Sequence, residues 1–470
     1  MTDVACALRR VPLPSMTRSK VCALVIALVV GLSACGSSGT SHPSGGSGGA
    51  VPADWTVSYS PGGNDAAGKP RLGTEAMDLV PYEGHLFAST SSWEDPTGYP
   101  QVLRLDGAGT SWVVDASFDE YASAGLRAFS RVNALAALTF TTDGTGRPLA
   151  APASLLVAAV TSKTEGDTFL FTRDDTNGRW TKVSLPTATA RAQPRSLAVA
   201  RDQVTGADRA YVGTRAGVFS GAYDPTVPGK IRWGATAEPG SDSSSGHRIM
   251  SLVTVGGVLH ALAFADVLAR TDGNQPSWHP VWHDDHVANP ALCGPTCSGL
   301  RGGTEVPDPT TARPDLLLAE EGIGGRIIRL DPATGYAATV ESQTDQLLAA
   351  KLGRPFRPYT ITAYNRFTPM PAADGTTTWV TGVQAHSKDA SADAGGSYLL
   401  TRHRDGTYTV TTIPYRDPPP PTRPSNRALV AVRAVIASPF AHDGMYISGY
   451  DCNGNPAHET AWIYHGPSPA

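Results

Sequence analysis

The sequence predicts an all-β fold: a seven-bladed β-propeller of four-stranded blades, the last blade closed by an N-terminal strand. Three observations predict it. First, seven segments superimpose, and six of them open on arginine: Arg131, Arg195, Arg248, Arg301, Arg357 and Arg433, with Glu75 at the same place in the first. Second, each opening is followed by a short apolar strand with a small residue inside it, as in Ala210-Tyr-Val-Gly-Thr and Trp379-Val-Thr-Gly-Val, and then by a third such run. Third, a fourth run usually starts on an aromatic after an Asp/Gly turn: Trp112, Trp180, Trp233, Trp278, Tyr336 and Tyr408. Four short strands per unit, repeating every 40–60 residues or so, are the pattern of a propeller, in which neighbouring blades bury each other's faces.

The seventh unit has only three strands after its opening. The missing fourth is predicted at the other terminus, where Trp55–Ser60 has the Trp-led character of the outer strands. Such closure removes an open sheet edge. A length of 470 residues ordinarily suggests several domains, but one propeller absorbs it. The proline run at 417–424 reads as a stiff link between the sixth and seventh blades.

The N-terminus reads as a targeting segment. Arg18 and Lys20 precede the apolar run Val21–Leu32, which is short for a membrane span and ends in Leu32-Ser33-Ala34-Cys35. This resembles the bacterial lipoprotein signal, in which cleavage before the cysteine leaves it as the lipid-bearing residue. The resemblance implies residues 1–35 as signal peptide, Cys35 as the acylated (palmitate-bearing) residue, and an extracytoplasmic, membrane-anchored protein. Residues 36–50, nearly all Gly and Ser, then read as a flexible tether, and 51–470 as the propeller.

The formal net charge of −4 becomes more negative once residues 1–35 are removed, since they hold four Arg or Lys and one Asp. An acidic body argues against nucleic acid as partner and against an anionic membrane beyond the lipid anchor. Past Cys35, three cysteines remain. Cys293 and Cys297 are expected to form a local disulfide. The alternative is zinc shared with His279, His283 or His286 just upstream, but the spacing fits no zinc pattern, and neither metal nor cofactor is expected. Cys452 is then a free thiol.

If the repeated openings line one mouth of a channel, Arg131, Arg195, Arg248, Arg301, Arg357 and Arg433 form a cationic ring with Glu75 among them. Arginine forks match carboxylate and sulfate geometry, so the functional expectation is recognition of an acidic glycan. The structural alternative is an arginine that ties each blade to its neighbour. Loops expected on the same face add Trp93, Glu94, Asp95, Tyr99, Glu320, Glu321, His386, Asp451 and His458, with His247, His283 and His286. The ring resembles in outline the propeller polysaccharide lyases, in which basic residues neutralise a uronate and a His or Tyr takes a proton. That resemblance implies His247, beside Arg248, or Tyr359, near Arg357, as the base. The turns at Asp106 and Asp272 resemble the Asp-boxes of sialidases, but the Arg-Ile-Pro signature is absent. Recognition of a glycan is preferred over catalysis because no acid–base pair stands out at fixed spacing; a protein-binding scaffold is the third reading.

Overall fold

The computed structural model describes residues 54–92, 98–122, 129–162, 167–186, 193–242, 248–293, 297, 299–356, 359–372, 374–386, 397–413, 430–440, 444–451 and 460–468. Cys35, the tether, Trp93, Glu94, Asp95, His247, Arg357, the proline run, Cys452 and His458 lie outside the described residues, as do the side chains of His386 and Asp451.

The fold is all-β, built from antiparallel meanders. Strand β1 (Thr56–Tyr59) stands apart from its sequence neighbours. The first meander is β2 (Glu75–Tyr82), β3 (His85–Ser91), β4 (Gln101–Leu105) and β5 (Val113–Ser117). The second is β6 (Phe129–Thr142), β7 (Pro148–Ser162), β8 (Asp167–Asp174) and β9 (Arg179–Pro186). The third is β10 (Ser196–Arg201), β11 (Asp208–Thr214), β12 (Gly217–Tyr223) and β13 (Ile231–Trp233). The fourth is β14 (Ile249–Val255), β15 (Val258–Ala263), β16 (Asp266–Thr271) and β17 (Ser277–His283), followed by the short helices α1 (Asp285–Ala288) and α2 (Pro290–Cys293). The fifth is β18 (Gly299–Pro307), β19 (Pro314–Ile323), β20 (Arg326–Asp331) and β21 (Ala337–Gln343), followed by α3 (Thr344–Leu352). In the sixth, β22 (Tyr359–Thr362) and β23 (Thr368–Pro371) both pair with β24 (Thr377–His386), which continues to β25 (Ser397–Arg402) and β26 (Tyr408–Ile413). The last is β27 (Val430–Ala437), β28 (Met445–Asp451) and β29 (Ala461–Gly466), and its fourth strand is β1, paired Thr56↔His465 and Val57↔Tyr464.

The meanders are not all separate sheets. The first two join through Ser91↔Arg131, and the fifth and sixth through Glu321–Ile323 against β22. Successive first strands are neighbours: β2 with β6, β6 with β10, β10 with β14, β14 with β18, and β27 with β2. The small residues noted in second strands permit this approach. A Cβ on Gly213 would strike Ile249 of the next meander, and one on Gly382 would strike Val432 of the next. Between meanders the core is apolar and aromatic, as where Phe118, Phe129, Phe171 and Trp180 pack edge to face.

A recurrent polar clamp joins neighbouring meanders, and it uses the third and fourth strands. Asp115 on β5 accepts from Arg173 Nε of β8 (2.9 Å) and Trp180 Nε1 of β9 (2.9 Å). Glu238, after β13, accepts from Arg270 Nε of β16 (2.9 Å) and Trp278 Nε1 of β17 (2.8 Å). Glu341 on β21 accepts from Arg402 Nε of β25 (2.7 Å) and the Tyr408 hydroxyl of β26 (2.8 Å). In each case a carboxylate of one meander is held by the next. Trp112 reaches Ser58 of β1 in the same way (2.9 Å). This gives the aromatic that opens the fourth run a reason beyond burial: its polar edge finishes a buried ion pair. Trp278→Phe removes one bond to the buried Glu238 carboxylate and is expected to cost about 2 kcal/mol in urea denaturation; an unchanged midpoint would mean that the clamp adds nothing.

Candidate functional site

Three of the described repeated arginines are strand residues and two stand at strand entrances. Arg131, Arg301 and Arg433 lie within β6, β18 and β27, and Arg195 and Arg248 immediately precede β10 and β14. Four of them are buried, at 7% exposure for Arg131, 5% for Arg195, 1% for Arg301 and 5% for Arg433; Arg248 is partly exposed. An open ring of guanidinium groups is therefore replaced by a packed centre.

Two groups organise that centre. Glu75, on β2 and buried, lies 3.4 Å from Arg131 Nη2 and accepts from Arg433 Nη2 at 3.0 Å. Tyr364, also buried, has the guanidinium carbons of Arg195, Arg301 and Arg433 at 4.2, 4.4 and 3.4 Å from its ring centre. A cation stacked on an aromatic face is attracted by the ring quadrupole, and a shared phenol lets several guanidinium groups approach without a carboxylate for each. Arg301 also bonds Glu321 on β19, and Glu321 accepts from the Tyr359 hydroxyl at 2.7 Å. The expected base Tyr359 is thus committed to a carboxylate.

The repeat register explains how Arg433 reaches the others. Strands β2, β14 and β27 carry bulges at Met77, Met250 and Arg433, and β6 carries them at Ser130, Asn133 and Thr141. Bulge register aligns Arg433 with Met77, Asn133 and Met250, not with Arg131. The opening position of the seventh copy is therefore Ala431, and the bulge re-aims Arg433 inward.

Tyr364 belongs to a segment that the sequence reading did not single out. Between β22 and β23 the chain bends at Ala363 (φ +50°) and runs Tyr364-Asn365-Arg366. Asn365 Nδ2 donates to the Met77 carbonyl (3.0 Å) and to Asp78 Oδ1 (2.7 Å), tying the sixth meander to the first. Arg366 is exposed to water yet surrounded by protein, and that enclosure holds its guanidinium below the usual range. Asp78 is similarly enclosed. Burial pushes its carboxyl up to about 6, against the pull of Arg195, the Leu135 N–H and Arg366. Among the described residues, the centre therefore gathers Arg131, Arg195, Arg301, Arg366 and Arg433 with Glu75, Glu321 and Asp78.

Other expected site residues lie elsewhere. Cys293 and Cys297 are joined by a disulfide (Cα–Cα 5.7 Å), so neither sulfur is a zinc thiolate. The disulfide packs on Gly322, where a Cβ would strike Cys293 Sγ. His283 Nδ1 lies 2.6 Å from Asp266 Oδ1, and His286 Nδ1 lies 3.1 Å from Glu320 Oε1. Glu320 and Glu321 are strand residues of β19, not loop residues.

No protein-family model matches the chain, and no curated protein matches it. Solved structures similar in backbone include the NanB sialidase of Streptococcus pneumoniae, 8% identical, with a TM-score of 0.40 over 88% of this chain and 70% of that one. The GH74 enzyme of Niastella koreensis is 13% identical, with a TM-score of 0.44 over 87% of this chain and 55% of the other. An α-L-arabinanase of Penicillium chrysogenum is 12% identical, with a TM-score of 0.39 over 88% and 98%.

Proposed function

We propose that this chain is a lipid-anchored, extracytoplasmic β-propeller of seven four-stranded blades that recognises an anionic group, carried by an acidic glycan, at its cationic centre. In this reading the seven meanders are blades about one axis, with β1 completing the last. The neighbour order of their first strands supports it. The lipobox Leu32-Ser33-Ala34-Cys35 supports the anchor, and the Cys293–Cys297 disulfide fits an oxidising compartment.

The observation that carries the ligand reading is the gathering of Arg195, Arg301 and Arg433 on the Tyr364 ring, with the water-exposed Arg366 two residues along the same segment. Guanidinium groups brought this close repel one another, and an anion beside them offsets that repulsion. A carboxylate or sulfate entering there would meet Arg366 first. The expected result is salt-sensitive binding of a uronate-containing or sulfated polysaccharide to the purified protein, weakened about tenfold or more by Arg366→Ala. Binding should also tighten as pH falls through about 6. The Asp78 carboxyl, raised to about 6, takes up a proton there and stops competing for the cations, while a uronate stays ionised. Binding indifferent to both salt and Arg366→Ala, or absent for every acidic polysaccharide, would overturn the reading. Absorbance from an unsaturated uronate would replace recognition with elimination chemistry.

A further inference from the structure

The polar clamp between meanders has a backbone cause. Ser58 of β1, Asp115 of β5 and Glu341 of β21 are each the extra residue of a bulge in an outer strand. A bulge re-aims one side chain, and here it meets the aromatic that opens the fourth run of the next meander. Ser58 meets Trp112, Asp115 meets Trp180, and Glu341 meets Tyr408. Strand β17 of the fourth meander carries the same bulge, between Pro280 and Trp282, but its extra residue is Val281.

Valine accepts no hydrogen bond, so the aromatic of the fifth meander, Tyr336, finds no acceptor in that side chain. Its hydroxyl is bonded instead to Nε2 of His260 on β15 (2.8 Å). The surroundings are apolar. Ile328 and Leu330 of β20 pack with Leu262 and Val267 of the fourth meander, and Val281, Trp282 and Tyr336 pack against them. The flanking interfaces, third with fourth and fifth with sixth, have the Glu238–Arg270 and Glu341–Arg402 ion pairs. Between the fourth and fifth, a hydrogen bond to an uncharged histidine takes that place.

His260 is fully buried. Whichever ring nitrogen carries the proton, a neutral imidazole and a hydroxyl can share one hydrogen bond. A cation there would be buried without an anion. Val253 of β14 and Ala269 of β16 stand opposite His260 on the neighbouring strands and offer no charge. The titratable groups that face it are the Tyr336 hydroxyl, which burial raises above its usual range, and His279, which as a cation opposes a second one. The described residues give it no carboxylate partner. Burial pushes its ring down to about 4, against hydrogen bonding to the backbone at Val258 and Val253. Above about pH 6.5 the ring is neutral whether the interface is closed or open, and nothing is lost. As pH falls from about 6.5 towards 4, an exposed ring takes up a proton and the buried one does not, so the closed interface loses stability through that window.

We propose that the interface between the fourth and fifth meanders is an acid-released seam: His260 takes up a proton, Tyr336 loses its partner, and the packing of β16 and β17 on β20 loosens while the clamped interfaces stay closed. Hydrogen exchange read by mass spectrometry at about pH 7 and about pH 4.5, corrected for the intrinsic effect of pH, locates the opening. Peptides covering β15 to β17 and residues 328–340 should exchange about tenfold or more faster in acid, and peptides covering β9 and β26 should not. His260→Gln keeps a polar side chain that cannot take up a proton, and it should abolish the acid increment. Tyr336→Phe keeps the histidine, so it should raise exchange at both pH values and retain the increment. An increment spread evenly over all meanders overturns the proposal. So does one that persists in His260→Gln, which would assign the effect to the Asp284–Arg326 and His286–Glu320 pairs across the same interface. Histidine NMR of the parent gives a reading that needs no variant. One ring should stay neutral down to about pH 5 and take up its proton as the seam opens; rings that all titrate near about 6.5 overturn the proposal.

Discussion

Tyr364→Ala is expected to lower stability by about 3–5 kcal/mol, the usual cost of truncating a buried aromatic, and Tyr364→Phe by less than about 1.5 kcal/mol, the range of a volume-conserving swap. The asymmetry follows from what the ring does. Its face is shared by Arg195, Arg301 and Arg433, which come from three different meanders and would otherwise meet as like charges. Alanine removes the face and leaves the charges; phenylalanine keeps the face and loses only the hydroxyl. Tyr364 also packs with Met77 and Ile361, so its loss opens a space between the first and sixth meanders. Urea denaturation monitored by fluorescence measures both variants. If alanine costs less than about 1 kcal/mol, the three guanidinium groups are held by something other than this stack. Equal losses for alanine and phenylalanine would assign the stabilisation to the hydroxyl.

Much of the secondary structure was legible because it is periodic. Short runs such as Ala210-Tyr-Val-Gly-Thr announce themselves by alternation and by a small residue where the next strand must approach. Trp55–Ser60 could be placed by counting, since one copy lacked a strand and one strand lacked a copy. The centre was legible in composition but not in geometry. Arginine at the repeat opening signalled a shared position, yet the repeat could not say whether the position faces water. Burial depends on what fills the middle, and the filler, Tyr364-Asn365-Arg366, occurs in one copy only. Length does not single it out, since the second copy, from Arg131 to Leu155, is longer than the sixth, from Arg357 to Trp379. The alignment of Arg433 failed for a related reason, because a bulge adds a residue without changing the apolar pattern. The inter-meander clamp was visible only as scattered parts. Asp115, Arg173 and Trp180 are far apart in sequence, and only the fold shows that the outer-strand carboxylate of one unit belongs with the arginine and aromatic of the next.

Glu75→Gln separates stability from recognition at the same residue. The carboxylate is buried and serves two guanidinium groups, Arg131 and Arg433. An amide of the same shape leaves both cations without their anion, and breaking a buried ion pair from one side costs about 3–5 kcal/mol. Replacing Arg433 by methionine in the same chain should return part of that loss, because the surplus charge goes with it; a double-mutant cycle measures the return. Binding should move the other way. Removing one internal carboxylate leaves Arg131 and Arg433 with one anion fewer, so an acidic polysaccharide should bind more tightly to Glu75→Gln than to the parent, under conditions where both are folded. A centre that is only a structural knot would lose stability and leave glycan affinity unchanged. A centre that recognises anions loses stability and gains affinity, because in the parent protein Glu75 occupies part of the charge that the ligand would otherwise use.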